Sequence, residues 1–102
     1  MNRFCASEEL AAGAVLSRVV DGRSVAVARF VDGSLAAFGA LCPHQQADLG
    51  AGILEDGGIT CPDHLWHFEL PSGRCTSIPG ARLPVYAVRE AGGAVHVELP
   101  GP

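Results

Sequence analysis

Cys42-Pro43-His44 and Cys61-Pro62-Asp63-His64 are the two stretches that decide the interpretation of this chain, and sixteen residues separate His44 from Cys61. Each stretch brings one thiol and one imidazole together in a tight turn, and its proline restricts the backbone of that turn. Thiolate sulfur and imidazole nitrogen are ligands that zinc and iron–sulfur centres use. Two such turns brought together supply four ligands around one centre: Cys42, His44, Cys61 and His64.

Two other interpretations of these residues have to be weighed. Four cysteines in a chain of 102 residues can also form two disulfides, but disulfides need an oxidising compartment, and the N-terminus has no apolar run long enough for a signal peptide. A Cys2His2 set suits zinc, but the single residue between Cys42 and His44 is fewer than the roughly two to four of zinc fingers, and no helix follows. The spacing argues against a zinc finger, and a zinc-stabilised binding module stays open as an alternative to an iron–sulfur centre.

Alternating stretches before residue 41 predict a β-meander. Extended runs cover 14–20, 25–30 and 34–40, with side chains alternating between two faces. Asp21-Gly22 and Asp32-Gly33 separate these runs, and Asp-Gly between extended runs is a strong hairpin signal.

The end of the chain returns to the same pattern. Residues 85–90 and 95–99 alternate, and Gly92-Gly93 turns the chain between them. The only helical signal is one capped turn at Ser7–Leu10.

These patterns predict one domain, 1–102, of the all-β class. Segments 1–40 and 81–102 form an antiparallel β-sandwich or barrel base. Segment 41–80 is rich in Pro, Gly, Asp, His and Cys, and we expect it to be an inserted, loop-rich subdomain that holds the metal.

The pattern resembles the Rieske family of [2Fe–2S] proteins over nearly the whole chain. The resemblance implies a Rieske-type fold with one [2Fe–2S] cluster, in which Cys42 and Cys61 bind one iron and His44 and His64 bind the other. It also implies that the loop around Pro79 covers the cluster. The flanking matches are Leu49, Gly52, Trp66, Phe68, Gly73, 78–80 and 83–86.

Several positions depart from the commonest family pattern. Gln46 and Leu65 stand where glycine is common, and Ala47 and Asp63 stand where high-potential members have a pair of disulfide-forming cysteines. Trp66 replaces a serine whose hydroxyl lies near a bridging sulfur in those members. Fewer hydrogen bonds to the sulfurs lower the reduction potential, so the resemblance implies a low-potential, ferredoxin-like protein.

Such ferredoxins imply a function in electron transfer and not in catalysis. We expect a carrier that takes one electron from a flavoprotein reductase and passes it to a terminal oxygenase of an aromatic-ring-hydroxylating dioxygenase or related multicomponent system. The chain is too short to include the catalytic iron domain of such an oxygenase. The alternative is the small subunit of an assimilatory nitrite reductase, and many of those resemble this chain but lack the cluster ligands.

Charge is concentrated in the predicted cluster segment. Residues 42–76 contain five acidic residues and one arginine, whereas the rest of the chain is balanced. We expect this acidic tip to steer basic patches on the reductase and oxygenase, although an ordinary solvated acidic loop has the same composition. The acidic balance argues against nucleic acid as a partner. The acidic residues of the segment are Asp48, Glu55, Asp56, Asp63 and Glu69.

The remaining expectations concern location and single residues. The N-terminus has no apolar run long enough for a signal peptide, and no run approaches the roughly 18 apolar residues of a membrane span, so we expect a cytoplasmic protein. We also expect a monomer. We expect no functional role for Cys5 or Cys75, and we expect Cys75 to be a buried small residue. We expect His67 to be a structural or solvated histidine and His96 to lie on an exposed strand face.

Overall fold

The computed structural model describes residues 2–41, 48–55, 57–62, 66–70, 72–77 and 80–99. Within these ranges nine strands form two antiparallel sheets. The six-stranded sheet has the order β1-β9-β8-β4-β3-β2, and the smaller sheet has the order β5-β6-β7. The strands are β1 Asn2–Ala6, β2 Val15–Val20, β3 Arg23–Arg29, β4 Leu35–Gly39, β5 Ile53–Glu55, β6 Gly58–Thr60, β7 His67–Glu69, β8 Val85–Ala91 and β9 Ala94–Glu98.

The all-β prediction is confirmed, and so is the meander. Strands β2, β3 and β4 pair in sequence order, and Asp21 and Gly22 have φ values of 50° and 78° in the first hairpin. These positive φ values match the twist of the paired strands. The predicted helical turn is a short 3₁₀ turn at Ser7–Glu9. No helix in the described ranges has the length and apolar character needed to cross a bilayer.

Strand β1 was not predicted, because a β-bulge hides its alternation. In its antiparallel pairing with β9, Arg3 lies opposite His96 and Cys5 lies opposite Val95, so Phe4 is an extra residue. The bulge places two successive side chains, Phe4 and Cys5, in the same buried cluster. A search for strict period-two patterns misses such a strand.

Strand β3 is buried on both faces, and its two faces contact different cores. Val25 and Val27 belong to a core enclosed by the six-stranded sheet. Ala26 and Ala28 belong to a second core, between this sheet and the smaller one. The small alanine side chains therefore lie on the face against which the smaller sheet packs.

Cys5 and His96 lie on the neighbouring strands β1 and β9 of the larger sheet. Cys5 is fully buried, and burial raises the pKa of its thiol. Among the described residues it makes no disulfide, which leaves the two-disulfide interpretation without one of its four cysteines. His96 is half-buried instead of exposed, because β9 is an inner strand and places it between Arg3 and Arg89.

Candidate metal centre

The first predicted ligand pair lies outside the described residues, but both ends of its loop are described. Leu41 forms an antiparallel bridge with Asp48, and the amide of Leu49 donates to the carbonyl of Ala40 at 2.7 Å. These contacts close the loop at its base and fix where it leaves the sheet. The predicted ligands within this loop are Cys42 and His44.

Asp48 anchors this loop base to the larger sheet. Its carboxylate accepts a hydrogen bond from the amide of Gly50 at 2.7 Å and one from the Ser17 hydroxyl at 3.2 Å. The first bond caps the 3₁₀ turn Leu49–Ala51, as short polar side chains commonly do before a helical turn. The sequence signal for this role was the Asp before the turn, which our sequence analysis counted only as a charge.

Gly52 brings the same segment against the smaller sheet. A Cβ atom at this position would lie 2.6 Å from the carbonyl oxygen of Thr60 and 3.1 Å from the Ile59 side chain. Only glycine permits so close an approach. The glycine that matched the family pattern is therefore needed to place the first loop beside β6.

The second predicted ligand loop begins directly after β6. Cys61 is described and fully buried, whereas His64 lies outside the described residues. The amide of Cys61 donates to the carbonyl of Trp66 at 2.7 Å. This hydrogen bond closes the second loop as the Leu49–Ala40 bond closes the first.

The bases of the two loops share one hydrophobic core. Ala40 and Leu49 from the first base and Cys61 from the second belong to the same buried cluster, with Ile59 and Phe68. The described residues thus place the bases of the two loops on one side of the molecule. The predicted ligands, two thiols and two imidazoles, have the chemistry of the ligand set of a Rieske cluster, so these residues fit that group.

Aromatic side chains pack beneath the second loop. Phe68 is fully buried and Trp66 packs half-buried against the same core. Their ring centroids lie 6.4 Å apart in a tilted arrangement, a favourable geometry for two aromatic rings. This agrees with the packing role expected for both residues.

A polar network on the smaller sheet was missed by the sequence analysis. The Thr60 hydroxyl donates to a Glu55 carboxylate oxygen at 2.6 Å and lies 3.0 Å from Nδ1 of His67. Because the hydroxyl has one proton and gives it to Glu55, Nδ1 of His67 is the donor in the second bond. His67 therefore has the structural role expected for it.

The hairpin after β7 holds the residues on either side of Pro79, which itself lies outside the described residues. Cys75 is buried, as expected, and its backbone forms an antiparallel β-bridge with Phe68. The amide of Thr76 donates to the carbonyl of His67 at 2.8 Å, and the amide of Cys75 donates to the carbonyl of Ala81 at 3.1 Å. These bonds tie the hairpin to the strand that follows the second ligand loop.

A comparison with known protein families identifies this architecture. The family model of the Rieske [2Fe–2S] domain matches residues 1–87 of this chain. The chain belongs to the Rieske [2Fe–2S] domain family. As a Rieske domain it carries one Rieske-type [2Fe–2S] cluster. Family membership therefore favours this cluster over the zinc site that was the alternative.

Curated relatives of this Rieske domain include proteins of very different length. It is 40% identical over 75 residues to a cholesterol 7-desaturase of Hemicentrotus pulcherrimus, covering 72% of this chain but only 16% of the desaturase. It is 33% identical over 92 residues to the ferredoxin component of the naphthalene 1,2-dioxygenase system of Pseudomonas aeruginosa, covering 89% of this chain and 88% of that ferredoxin.

Solved structures also resemble the Rieske domain over nearly its full length. A Mycobacterium tuberculosis protein assigned as the small subunit of an NADH-dependent nitrite reductase has a TM-score of 0.92 and 29% identity, covering 99% of this chain and 96% of that one. A chain in the complex of reduced oxygenase and oxidised ferredoxin of carbazole 1,9a-dioxygenase has a TM-score of 0.82 and 30% identity, covering 94% and 99%.

Proposed function

We propose that this Rieske domain is a ferredoxin that carries single electrons from a flavoprotein reductase to the terminal oxygenase of an aromatic-ring-hydroxylating dioxygenase or related multicomponent system. The observation that carries the proposal is the match to the naphthalene dioxygenase ferredoxin, which spans 88% of that ferredoxin. The match to the desaturase spans only 16% of that enzyme. The chain thus contains the counterpart of nearly all of that ferredoxin and of a small part of that desaturase.

The proposed ligands follow from the two loops. We propose that the two cysteines bind one iron and the two histidines the other, because the described ends of both loops pack in one core. The cluster supplies reversible one-electron chemistry when it is bound. The proposed ligands are Cys42, His44, Cys61 and His64.

The chain's own described residues fix the base of each ligand loop. The bonds from Leu49 to Ala40 and from Cys61 to Trp66 fix the two loop bases, and Phe68 fills the space below them. A rigid, water-excluding site keeps the rearrangement that accompanies electron transfer small. We propose 41–80 as the cluster-binding subdomain and 1–40 with 81–102 as its base.

We propose that partners dock at the acidic cluster segment. Three of its acidic residues are described, and all three are exposed: Asp48, Glu55 and Glu69. The carboxylates of Asp48 and Glu55 also accept internal hydrogen bonds, so their positions are fixed. Fixed charges complementary to a basic partner surface raise the association rate and select orientation. The ferredoxin–oxygenase complex of carbazole dioxygenase provides a precedent for such a partner.

A nitrite reductase small subunit is the second candidate, and the TM-score of 0.92 favours it. The presence of all four ligand residues favours the carrier, because a small subunit without a redox role has no need of them. The two candidates differ in their partner. A small subunit binds a large sirohaem protein, whereas a carrier exchanges electrons with a flavoprotein and an oxygenase.

The experiment that tests the proposal is purification of the protein made with iron and sulfide available. We expect a coloured protein with acid-labile sulfide, a Rieske-type reduced-state electron paramagnetic resonance spectrum, and a potential towards the lower end of the roughly −150 to +300 mV Rieske range. A colourless protein contradicts the electron-carrier function, and co-purification with a sirohaem protein supports the second candidate. Cell fractionation and sedimentation test the predicted cytoplasmic location and monomeric state.

A further inference from the structure

Arg74 and Arg82 lie directly opposite each other on the hairpin that follows β7. The hydrogen bonds beside them join their neighbours, from Leu83 to Gly73 at 2.8 Å and from Cys75 to Ala81 at 3.1 Å. The two arginines therefore form the non-hydrogen-bonded type of antiparallel pair. In such a pair the Cα atoms lie only about 4.5 Å apart and the side chains are closest.

The two arginine side chains leave the hairpin on its outer face. Arg74 and Arg82 are exposed, whereas Cys75 and Leu83, their neighbours in sequence, are buried. Both arginines line an open cavity of about 620 Å³ together with Thr76 and Gly80. The cavity therefore presents two cationic groups side by side to solvent.

Attraction between the two side chains does not explain this pair. Like charges directly opposite on neighbouring strands repel and destabilise a sheet. Elsewhere in the structure Arg18 pairs with Glu9 and Arg29 pairs with Glu90, but neither Arg74 nor Arg82 has an ion pair among the described residues. Two adjacent guanidinium groups are suited to holding one carboxylate through several charge-assisted hydrogen bonds.

The pair lies beside β7, at the end of that strand away from the second ligand loop, where the amide of Glu69 donates to the carbonyl of Arg74 at 2.8 Å. Its hairpin is tied to β7 by the Thr76–His67 hydrogen bond and the Phe68–Cys75 bridge. Strand β7 in turn follows Trp66, which closes the loop of Cys61. At a spacing of about 5 Å per strand, Arg82 lies two strands, or about 10 Å, from β7.

We propose that Arg74 and Arg82 form a carboxylate clamp that takes an acidic side chain from the surface of the redox partner. The clamp rests on the proposed electron-carrier function for its partner, but its chemistry depends only on the two arginines. Arg74 is the one arginine of the acidic segment 42–76, so the clamp adds a cationic site at the edge of an otherwise acidic docking surface. A partner has to offer a carboxylate to the clamp and basic groups to the acidic residues, which sets its orientation.

Binding of a simple dicarboxylate tests the clamp itself. Isothermal titration calorimetry of the holoprotein with malonate should show weak, millimolar binding. R74Q and R82Q should each weaken it by about three- to fivefold, as expected for exposed charge pairs, and the double variant should abolish it. The control is R23Q/R89Q, which removes the same charge from two exposed arginines elsewhere on the larger sheet. Unchanged malonate binding in R74Q/R82Q overturns the proposal.

Oxidation of the reduced protein by small complexes tests the link to electron transfer. Each oxidant takes one electron from the protein: iron(III)–EDTA, an anion, becomes iron(II)–EDTA, and hexaammineruthenium(III), a cation, becomes the ruthenium(II) complex. The R74Q/R82Q substitutions should slow oxidation of the protein by the anionic complex more than R23Q/R89Q does. They should not slow its oxidation by the cationic complex. Equal slowing in both double variants overturns the proposal, because net charge then explains the effect.

Two results distinguish the partner clamp from a small-anion site and from the proposed electron-carrier function. Micromolar binding of inorganic phosphate to the same arginines overturns partner docking and identifies a site for a small free anion. A protein that binds malonate through the two arginines but holds no cluster contradicts the proposed electron-carrier function while the clamp stands. The two hypotheses therefore fail in different measurements.

Discussion

Arg29 on β3 and Glu90 on β8 form an ion pair with two hydrogen bonds, at 3.1 and 2.8 Å, across the larger sheet. Arg29 also donates from Nε to the carbonyl of Leu10 at 2.8 Å. The pair thus links strands from before and after the cluster segment. The Arg29 guanidinium lowers the pKa of Glu90 from its usual 4.5 to about 2.

This pair makes stability depend on pH in a defined direction. Because the pKa of Glu90 is lower in the folded than in the unfolded protein, its contribution is present above pH 4.5 and is lost as the pH falls towards 2. E90Q should therefore lower the urea midpoint at pH 7, and its difference from the wild type should shrink below pH 4.5. The control is E98Q, which replaces an exposed glutamate on the neighbouring strand β9. A difference that stays constant with pH contradicts the assignment.

Cys61→Ser should abolish the cluster. Serine keeps the size of the side chain but replaces the thiolate ligand, and the buried position offers the iron no substitute from solvent. We expect near-complete loss of visible absorption and acid-labile sulfide. Cys5→Ser, at a cysteine buried in the other core, should keep its sulfide. Full sulfide content in the Cys61 variant would remove this residue from the proposed ligand set.

Thr60→Val should destabilise the smaller sheet. Valine has nearly the shape of threonine but removes the hydroxyl that joins Glu55 to His67. Loss of these bonds should lower the free energy of unfolding by about 1–2 kcal/mol. Urea unfolding measures this, and Thr60→Ser, which keeps the hydroxyl, should lose less. A valine variant as stable as the wild type would mean that the network adds no net stability.

Gly52→Ala should disturb the base of the first ligand loop. The added Cβ atom would lie 2.6 Å from the Thr60 carbonyl oxygen, so the backbone has to move. Such overpacking costs about 1–3 kcal/mol in the free energy of unfolding, and we also expect faster loss of the cluster on heating. Thermal melts followed at visible wavelengths measure both. Ala51→Ser, at the exposed residue before it, should behave like the wild type, and equal behaviour of the two variants would contradict the close approach.

Local patterns were enough to predict much of this molecule. Asp21-Gly22 specified the first hairpin because both residues accept positive φ. The alternation of Val25 and Ala26 specified the two faces of β3, because successive side chains of a strand point in opposite directions. The spacing of the four proposed ligands suggested the family, which the match over residues 1–87 confirms. The ligand assignment itself stays a prediction.

Other features depend on contacts between residues distant in sequence, and local patterns do not encode them. Phe4 and Cys5 share one core because a bulge against β9 turns both inward. Thr60, Glu55 and His67 meet because three short strands pair in one register. The sequence by itself determined which residues favour strands, turns and metal binding, since these depend on side-chain chemistry and near neighbours. Only the tertiary structure decided that Arg74 faces Arg82 and that Arg29 reaches Glu90, because strand register and the order of strands in the sheet set those distances.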